Sequence, residues 1–472
     1  MKGPDHGNHR HIHSGNHGRR RPRRGDTDLP GAFDECTAGG HRGFTGGYQR
    51  TTDRNERQVL RGSDRNTRYK HPPGSGEHSH GWGEYPPGQG RGSSSDFRRP
   101  SGRPLVSRIV HSMPDSVGEA FQTVRDTAPE HTYRGAVVGC GRMGSSIDDE
   151  HVGQPHYPWP WAHAPAMMEA RGIDLVAAAD EDPAKFADFR RRWGCTALYT
   201  DYREMVEKEA IDVVCLTTRP EPRAEITVGL AELGVKAIFA TKPMCRTLAE
   251  ADAMIDACAR HGVILAMACH LNWYGYYTTA RRLIAEGAIG PLKTMICHSP
   301  STLSNIQSHT LALLRLFAGA PAQWVVGLID TDELARSEAD IPGTGIVVYE
   351  NGIRTILNSR SESHVYSWSL EFIGETGRIV SRNSHAQFEL WTQNPVTGAP
   401  AQTHLPGPWH PRSSMVDAIE GVCRSIEAGK ETTCPGEFGR EALEIAIALR
   451  ESHRRGNARV DLPLEDRGLR MG

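Results

Sequence analysis

The chain has 472 residues, 38% of them hydrophobic, ten cysteines and a formal net charge of −2. That length admits two or three domains with real cores. No run reaches the ~20 apolar residues of a membrane span, no signal-peptide core opens the chain, and no C-x-x-C pair marks a zinc knot or disulfide scaffold, so a cytoplasmic protein without membrane partner or structural metal is expected.

Residues 1–100 hold 18 basic and 11 acidic residues, +7, which leaves −9 for the remainder. They are crowded with Gly, His, Arg, Pro and Ser and carry neither a period of 2 nor of 3.6. Such a segment cannot bury enough apolar area to offset the entropy of ordering, so residues 1–112 read as a disordered extension. Its histidines, His6 to His17, are able to hold a metal, and its arginines to contact nucleic acid. The plainer reading is an extension without function ahead of a start at Met113, and no nucleic-acid partner is expected.

From about residue 131 strand and helix alternate. "YRGAVVGCG" is a β-branched apolar run ending in glycine, the mark of a fully buried parallel strand. "IDLVAAAD" (Ile173 to Asp180), "IDVVCLTT" (Ile211 to Thr218), "VKAIFAT" (Val235 to Thr241) and "VILAMAC" repeat it, with helical spacing between. Thr247 and Glu250 fit a capping box ahead of "ADAMIDACARHG". This alternation predicts an α/β architecture, a doubly wound parallel sheet of the Rossmann type over 131–268.

After residue 268 the texture changes. A helix, "YYTTARRLIAEG", precedes strand-like runs: "LKTMICHS", "AQWVVGLID", "TGIVVYENGIRTILN" with an Asn351-Gly352 hairpin signal, and "SWSLEFIGETGRIVS". Two helices, "MVDAIEGVCRSIEAG" and "GREALEIAIALRESHRR", close the chain. Residues 269–464 therefore read as an α+β domain on a large, mostly antiparallel sheet.

In "GCGRMG", Gly139 permits a tight turn, Gly141 lets backbone approach a pyrophosphate, and Gly144 allows close helix-to-strand packing, with Arg142 and Met143 between them. Asp180, ending the second strand, is placed to accept both ribose hydroxyls. The negative cluster Asp180, Glu181 and Asp182 repels a 2′-phosphate, so NAD is expected ahead of NADP. Gly144 and Asp180 lie 36 residues apart where about 20 is usual. The surplus matches an insertion over 145–161, rich in acidic, His and Trp residues.

The chain resembles the glucose-fructose oxidoreductase and inositol dehydrogenase family (Gfo/Idh/MocA) over roughly Tyr133 to Pro463. The resemblance rests on "GCGRMG", "AHAPAMMEARGIDLVAAAD", "TTRPEPRAEI", "ATKPM" in place of Glu-Lys-Pro, "LIAEGAIGPL", "NIQSH", "ENG", "FIGETGRI" and "GNARVDLPL". It implies a Rossmann domain, a second domain with an open sheet, a cleft holding NAD(P) and a sugar or cyclitol, and homodimers or homotetramers formed through that sheet.

For the site, the resemblance implies His309 as general base and Lys242 as the group that holds the reacting hydroxyl and touches the nicotinamide ribose, with Pro243 setting its turn. Thr217 and Thr218 join the cofactor edge. Four positions depart from the pattern. Asn305 stands where a carboxylate precedes the histidine, and an amide orients a hydroxyl but cannot stabilise an imidazolium by charge. Ala312 replaces an Asp, Thr241 a Glu and Arg223 a His.

His270, Asn272 and Tyr274 follow the fifth of these strands at the ligand edge of such a sheet and are candidate substrate contacts, with Trp273 and Tyr276 equally suited to packing the domain junction. The insertion has the composition of a carbohydrate lid: Trp159 and Trp161 for sugar C–H faces, Asp148, Asp149 and Glu150 for hydroxyls. Its histidines, His151, His156 and His163, fit no metal-ligand spacing. The expected activity is NAD(P)-dependent hydride transfer at a secondary hydroxyl of a sugar, sugar derivative or cyclitol. The alternatives are a glycoside-cleaving enzyme that retains its NAD, and a non-catalytic NAD or sugar sensor suggested by Asn305 and Thr241.

Overall fold

The computed structural model describes residues 128–153, 159–360, 367–382, 384, 387–405 and 412–472. The expectations for the 1–112 extension, its histidines and a start at Met113 lie outside the described residues, as does His156 of the insertion.

Six parallel strands form the first sheet: β1 (Tyr133–Val138), β2 (Ile173–Ala179), β3 (Ala197–Tyr199), β4 (Val213–Leu216), β5 (Ala237–Ala240) and β6 (Ile264–Met267), in the order β3-β2-β1-β4-β5-β6. β4 and β5 are buried along their whole length, as short apolar runs between two helical layers must be. The layers are α1 (His163–Glu169), α2 (Phe186–Trp193), α3 (Tyr202–Glu209), α4 (Pro220–Glu232) and α5 (Leu248–His261). The capping box at the head of α5 forms in full, Thr247 accepting from Glu250 N–H while the Glu250 carboxylate accepts from Thr247 N–H. β3 and α3 were not anticipated, because a three-residue edge strand carries no measurable period.

Strand order reverses between β1 and β4, and the crevice outside the carboxyl ends at such a reversal is where an open α/β sheet binds ligands. Four turns meet there: Gly139–Gly144, Thr217–Thr218, Thr241–Met244 and Cys269–His270.

The second sheet has nine strands, ordered β14-β13-β12-β11-β7-β10-β9-β8-β15. They are β7 (Leu292–His298), β8 (Ala322–Leu328), β9 (Thr344–Tyr349), β10 (Arg354–Asn358), β11 (Ser369–Gly374), β12 (Gly377–Arg382), β13 (Gln387–Gln393), β14 (Pro400–His404) and β15 (Val460–Asp461). All pairs are antiparallel except β7 with β10. The hairpin expected at Asn351-Gly352 joins β9 to β10, with Gly352 at φ +82°. β13 and β14 are further strands not anticipated from the sequence, joined by a turn in which Gly398 N–H donates to the Asn394 carbonyl at 2.8 Å.

Around this sheet lie α6 (Gly275–Ala285), α7 (Gln307–Ala318), α8 (Asp332–Arg336), α9 (Ser414–Ala428) and α10 (Gly436–Arg454). α7 and α10 pack together, α10 lies on β8, and α10 also meets α5 and β6, so it belongs to both halves. Residues beyond β15 return to the parallel half: Ala249 N–H donates to the Arg467 carbonyl at 2.8 Å, and the Arg467 guanidinium pairs with Asp252 at 2.7 Å. A second tie is Glu420 on α9, its side chain 1% exposed, which accepts from Arg171 beyond α1 and from Arg412 and Arg424. Among the described residues no helix is long and apolar enough to cross a membrane.

Candidate active site

The glycine turn is built by contact and by conformation. Gly139 sits at φ +104°, a region that L side chains avoid, and a Cβ on Gly144 would lie 2.0 Å from the Gly139 carbonyl oxygen. A Cβ on Gly141 would meet nothing within 4 Å, so this is the open face of the turn, where a diphosphate has room to approach backbone. Thr217 braces the turn, its hydroxyl donating to the Gly139 carbonyl at 2.6 Å. Thr218 Oγ1 is buried and has no hydrogen-bond partner among the described residues, an orphan beside the crevice. Turn, open face and orphan hydroxyl together fit a dinucleotide.

Two expected cofactor contacts are already engaged. The Asp180 carboxylate accepts from Cys140 N–H at 2.8 Å, from Asp182 N–H at 2.9 Å and from the Lys185 ammonium at 2.8 Å, so it braces the turn. Arg142 is clamped by Glu150, at 2.6 and 2.7 Å. Met143, between Arg142 and the packed Gly144, is half-buried.

At the second edge of the crevice Lys242 Nζ donates to Asn305 Oδ1 at 2.9 Å. Asn305 precedes α7, and its own backbone is fixed by Asp340, whose carboxylate accepts from Asn305 N–H at 2.8 Å, Ser304 N–H at 2.7 Å and the Thr302 hydroxyl at 2.6 Å. Pro243 follows Lys242 through a cis peptide bond. Burial lowers the Lys242 pKa to about 8, and the positive charges of Arg142 and Arg223 act in the same direction against Cys269 and Asp340.

His309, in the first turn of α7, packs edge-on against His270 with ring centroids 4.7 Å apart. Burial, with the Lys242 charge adding to it, takes His270 down to about 4, so its imidazole is neutral at pH 7, with Nδ1 2.9 Å from Ser414 Oγ. Trp161 lies 5.9 Å from the His270 ring and 4.7 Å from that of His151. One cluster thus gathers Lys242, Asn305, His309, His270 and Trp161 from four separate segments.

The other candidates go elsewhere. Asn272 donates to its own Cys269 carbonyl at 2.9 Å and lines a separate cavity of about 320 Å³ with Trp273, Tyr277 and Arg281. Tyr274 packs against Tyr276 and Tyr277, and Tyr276 stacks on Phe388 at 4.4 Å, so these rings form the junction of helix and sheet. The acidic trio, expected to meet substrate hydroxyls, instead braces the insertion. Asp148 accepts from Trp161 N–H at 2.7 Å and Ala162 N–H at 3.2 Å, Asp149 pairs with Arg192 at 2.6 Å, and Glu150 holds Arg142. A carboxylate beside free backbone amides or arginines is drawn to them before any neutral hydroxyl. His163 is fully buried on α1 beside Phe239, and burial drives its pKa down to about 3.

Three contributors carried no role in the sequence reading: Asp340, Lys185 and Ser413. Ser413, the N-cap of α9, accepts from Met415 and Val416 N–H and donates to the Pro160 carbonyl, seating the insertion on the second half. A serine directly before a helical run was the one signal available for it.

Residues 133–269 match the model of an oxidoreductase family with an NAD-binding Rossmann fold. The chain is 31% identical over 177 residues to a D-apiose dehydrogenase of Paraburkholderia graminis, a match covering 37% of this chain and 42% of that protein. It is 20% identical over 334 residues to a myo-inositol 2-dehydrogenase of Thermotoga maritima, covering 67% of this chain and 95% of the relative. In fold it is similar to an inositol dehydrogenase homolog of Azotobacter vinelandii solved with NADH and myo-inositol, at a TM-score of 0.59 and 17% identity over 70% of this chain and 98% of the other.

Proposed function

The chain belongs to the Gfo/Idh/MocA oxidoreductases and binds NAD, and from that premise we propose that it transfers hydride between NAD and a secondary hydroxyl of a sugar, sugar derivative or cyclitol. The observation that carries the reading is the Lys242 to Asn305 hydrogen bond at 2.9 Å, which joins the ammonium after β5 to the head of the helix bearing His309. The names of the apiose and inositol relatives support the substrate class. When bound, NAD supplies the nicotinamide carbon that takes or returns the hydride.

The residues supply the rest. His309 takes the hydroxyl proton, since an imidazole is matched to proton transfer near neutral pH. Lys242, as ammonium, holds the substrate oxygen while negative charge develops on it. Asn305 keeps Lys242 aimed and offers its amide N–H to a neighbouring hydroxyl. His270, neutral, adds a polar edge without a competing charge, and Trp161 presents an apolar face to sugar C–H bonds. The insertion narrows the choice of substrate through Trp161 rather than through its carboxylates.

Two further features support the wider reading. Across β8, β9, β10 and β7, the residues Val326, Ile346, Ile356 and Ile296 pair in one row on the face opposite α7 and α10, with Ile346 41% and Ile356 44% exposed. A row of this kind supports a homodimer or homotetramer joined through the sheet. The nine described cysteines are all buried thiols, which suits a reducing, cytoplasmic setting.

The test is NADH absorbance with the full chain against a panel of sugars and cyclitols, in both directions. Turnover is expected with at least one, and Lys242→Ala and His309→Ala should each lower kcat by about 100-fold or more. Turnover unaffected by both substitutions, or none with any ring, would overturn it.

A further inference from the structure

α4 begins directly behind the crevice, and its fourth residue carries a guanidinium only 2% exposed. Arg223 Nη1 donates to the Thr241 carbonyl at 2.6 Å, to that of Pro243, and at 3.5 Å to that of Met244. Nη2 donates to the Thr218 carbonyl. No carboxylate pairs with it among the described residues. Thr241, where the resemblance expects a glutamate, bonds the Leu216 carbonyl instead. A buried, unpaired cation is costly, and burial accordingly pulls the guanidinium down to about 10. A charge kept there is offset only by what it holds in place: Nε has no partner among the described residues, and Nη1 and Nη2 hold backbone of two site turns.

We propose that Arg223 is the positioning residue for Lys242: its planar fork ties the Thr241–Met244 turn to the turn after β4, and so fixes where the Lys242 ammonium meets Asn305 and the substrate oxygen. A guanidinium suits this task because its donors diverge in one rigid plane, reaching carbonyls on two turns at once. Histidine, with two ring nitrogens, cannot span them. The kinetic consequence rests on the dehydrogenase reading; the effect on Lys242 itself does not.

Lys242 is faced by Arg142 from the glycine turn, Arg223 from α4, Cys269 and His270 from the end of β6, Asp340 from the loop before β9, and Asn305 and His309 from the head of α7. Arg223 is thus one of two cations disfavouring its protonated form. Removing that charge moves the Lys242 titration to higher pH, whereas removing an inert core side chain leaves it in place.

The chain has eight lysines, few enough for each to be resolved by carbon-13 reductive methylation and NMR, with Lys242→Arg assigning the signal. In the wild type Lys242 is expected to titrate near about 8, apart from the exposed lysines. In Arg223→Met it is expected at least about half a unit higher, with kcat lowered about tenfold to hundredfold and the NAD dissociation constant within about threefold. Arg223→Lys keeps the charge and loses the fork, so the titration stays while kcat falls. Arg223→Met with titration and kcat both unchanged overturns the proposal. If that variant does not fold, Arg223→Lys decides: wild-type kcat sinks it, and a reduced kcat with an unmoved titration supports it. Absence of turnover in the wild type strikes the dehydrogenase reading alone, and the chemical shift of the labelled Lys242 in Arg223→Lys then decides the role of Arg223: a displaced signal supports it and an unmoved one sinks it.

Discussion

Lys242 and Asn305 form a pair in which only one partner is ionisable, and that sets the pH behaviour expected of the site. With a pKa lowered to about 8 by burial and two neighbouring arginines, the ammonium proposed to steady a developing alkoxide is lost as pH rises through that value. Asn305→Asp places an anion within hydrogen-bonding reach, which favours the ammonium and moves the alkaline limb of the kcat profile up by about one to three units. An unmoved alkaline limb in the pH–rate profile of Asn305→Asp would show that Lys242 does not control it. The residue types at this site were readable in "TKP" and "NIQSH", and so were the substitutions at Thr241 and Arg223. Their meaning was not, because Arg223 acts through carbonyl oxygens, which any sequence supplies and none advertises.

At the scale of elements, a strand or helix was legible where a period or a cap signals it: β1, β2, the Thr247 capping box and the Asn351-Gly352 hairpin. β3 was not, being too short for alternation to register. The insertion was found as a surplus of spacing, yet the use of its side chains was misjudged. Asp148, Asp149 and Glu150 are adjacent in the chain and read alike, but each finds a different donor, Trp161 and Ala162 N–H, Arg192 or Arg142. Those partners lie up to 43 positions away, beyond any local pattern. Because Asp148 holds the backbone of Trp161, Asp148→Ala is expected to raise KM for the sugar by about tenfold while NAD affinity stays within about twofold, read by steady-state kinetics and NAD titration. Equal weakening of both would place Asp148 in the glycine turn instead.

Over the whole molecule the two sheets are joined by charge as well as by α10. Burial alone would push the Glu420 carboxyl up, but the hydrogen bonds from Arg412 and Arg171 outweigh it and hold the carboxyl well below the usual carboxylate range. A carboxylate depressed in the folded state contributes stability that is complete above its unfolded value near 4.5 and is lost as pH falls below it. Glu420→Ala leaves the half-buried Arg412 and Arg424 without their carboxylate and is expected to cost about 1–3 kcal/mol, seen as a lower thermal midpoint at pH 7. That difference from wild type should shrink as the buffer is taken toward pH 3; a constant difference would assign the loss to packing.

The return of residues 464–472 to α5 bears on how this architecture can be divided. The amide of Ala249 and the carboxylate of Asp252 belong to the nucleotide-binding half, yet both find their partners at Arg467, which the chain reaches only after the nine-stranded sheet is complete. A fragment cut at the textual border between the halves would strip α5 of these ligatures, so it is expected to melt at a lower temperature than the same half within the full chain. Its α5 is tied down by a segment that follows the second sheet in the chain.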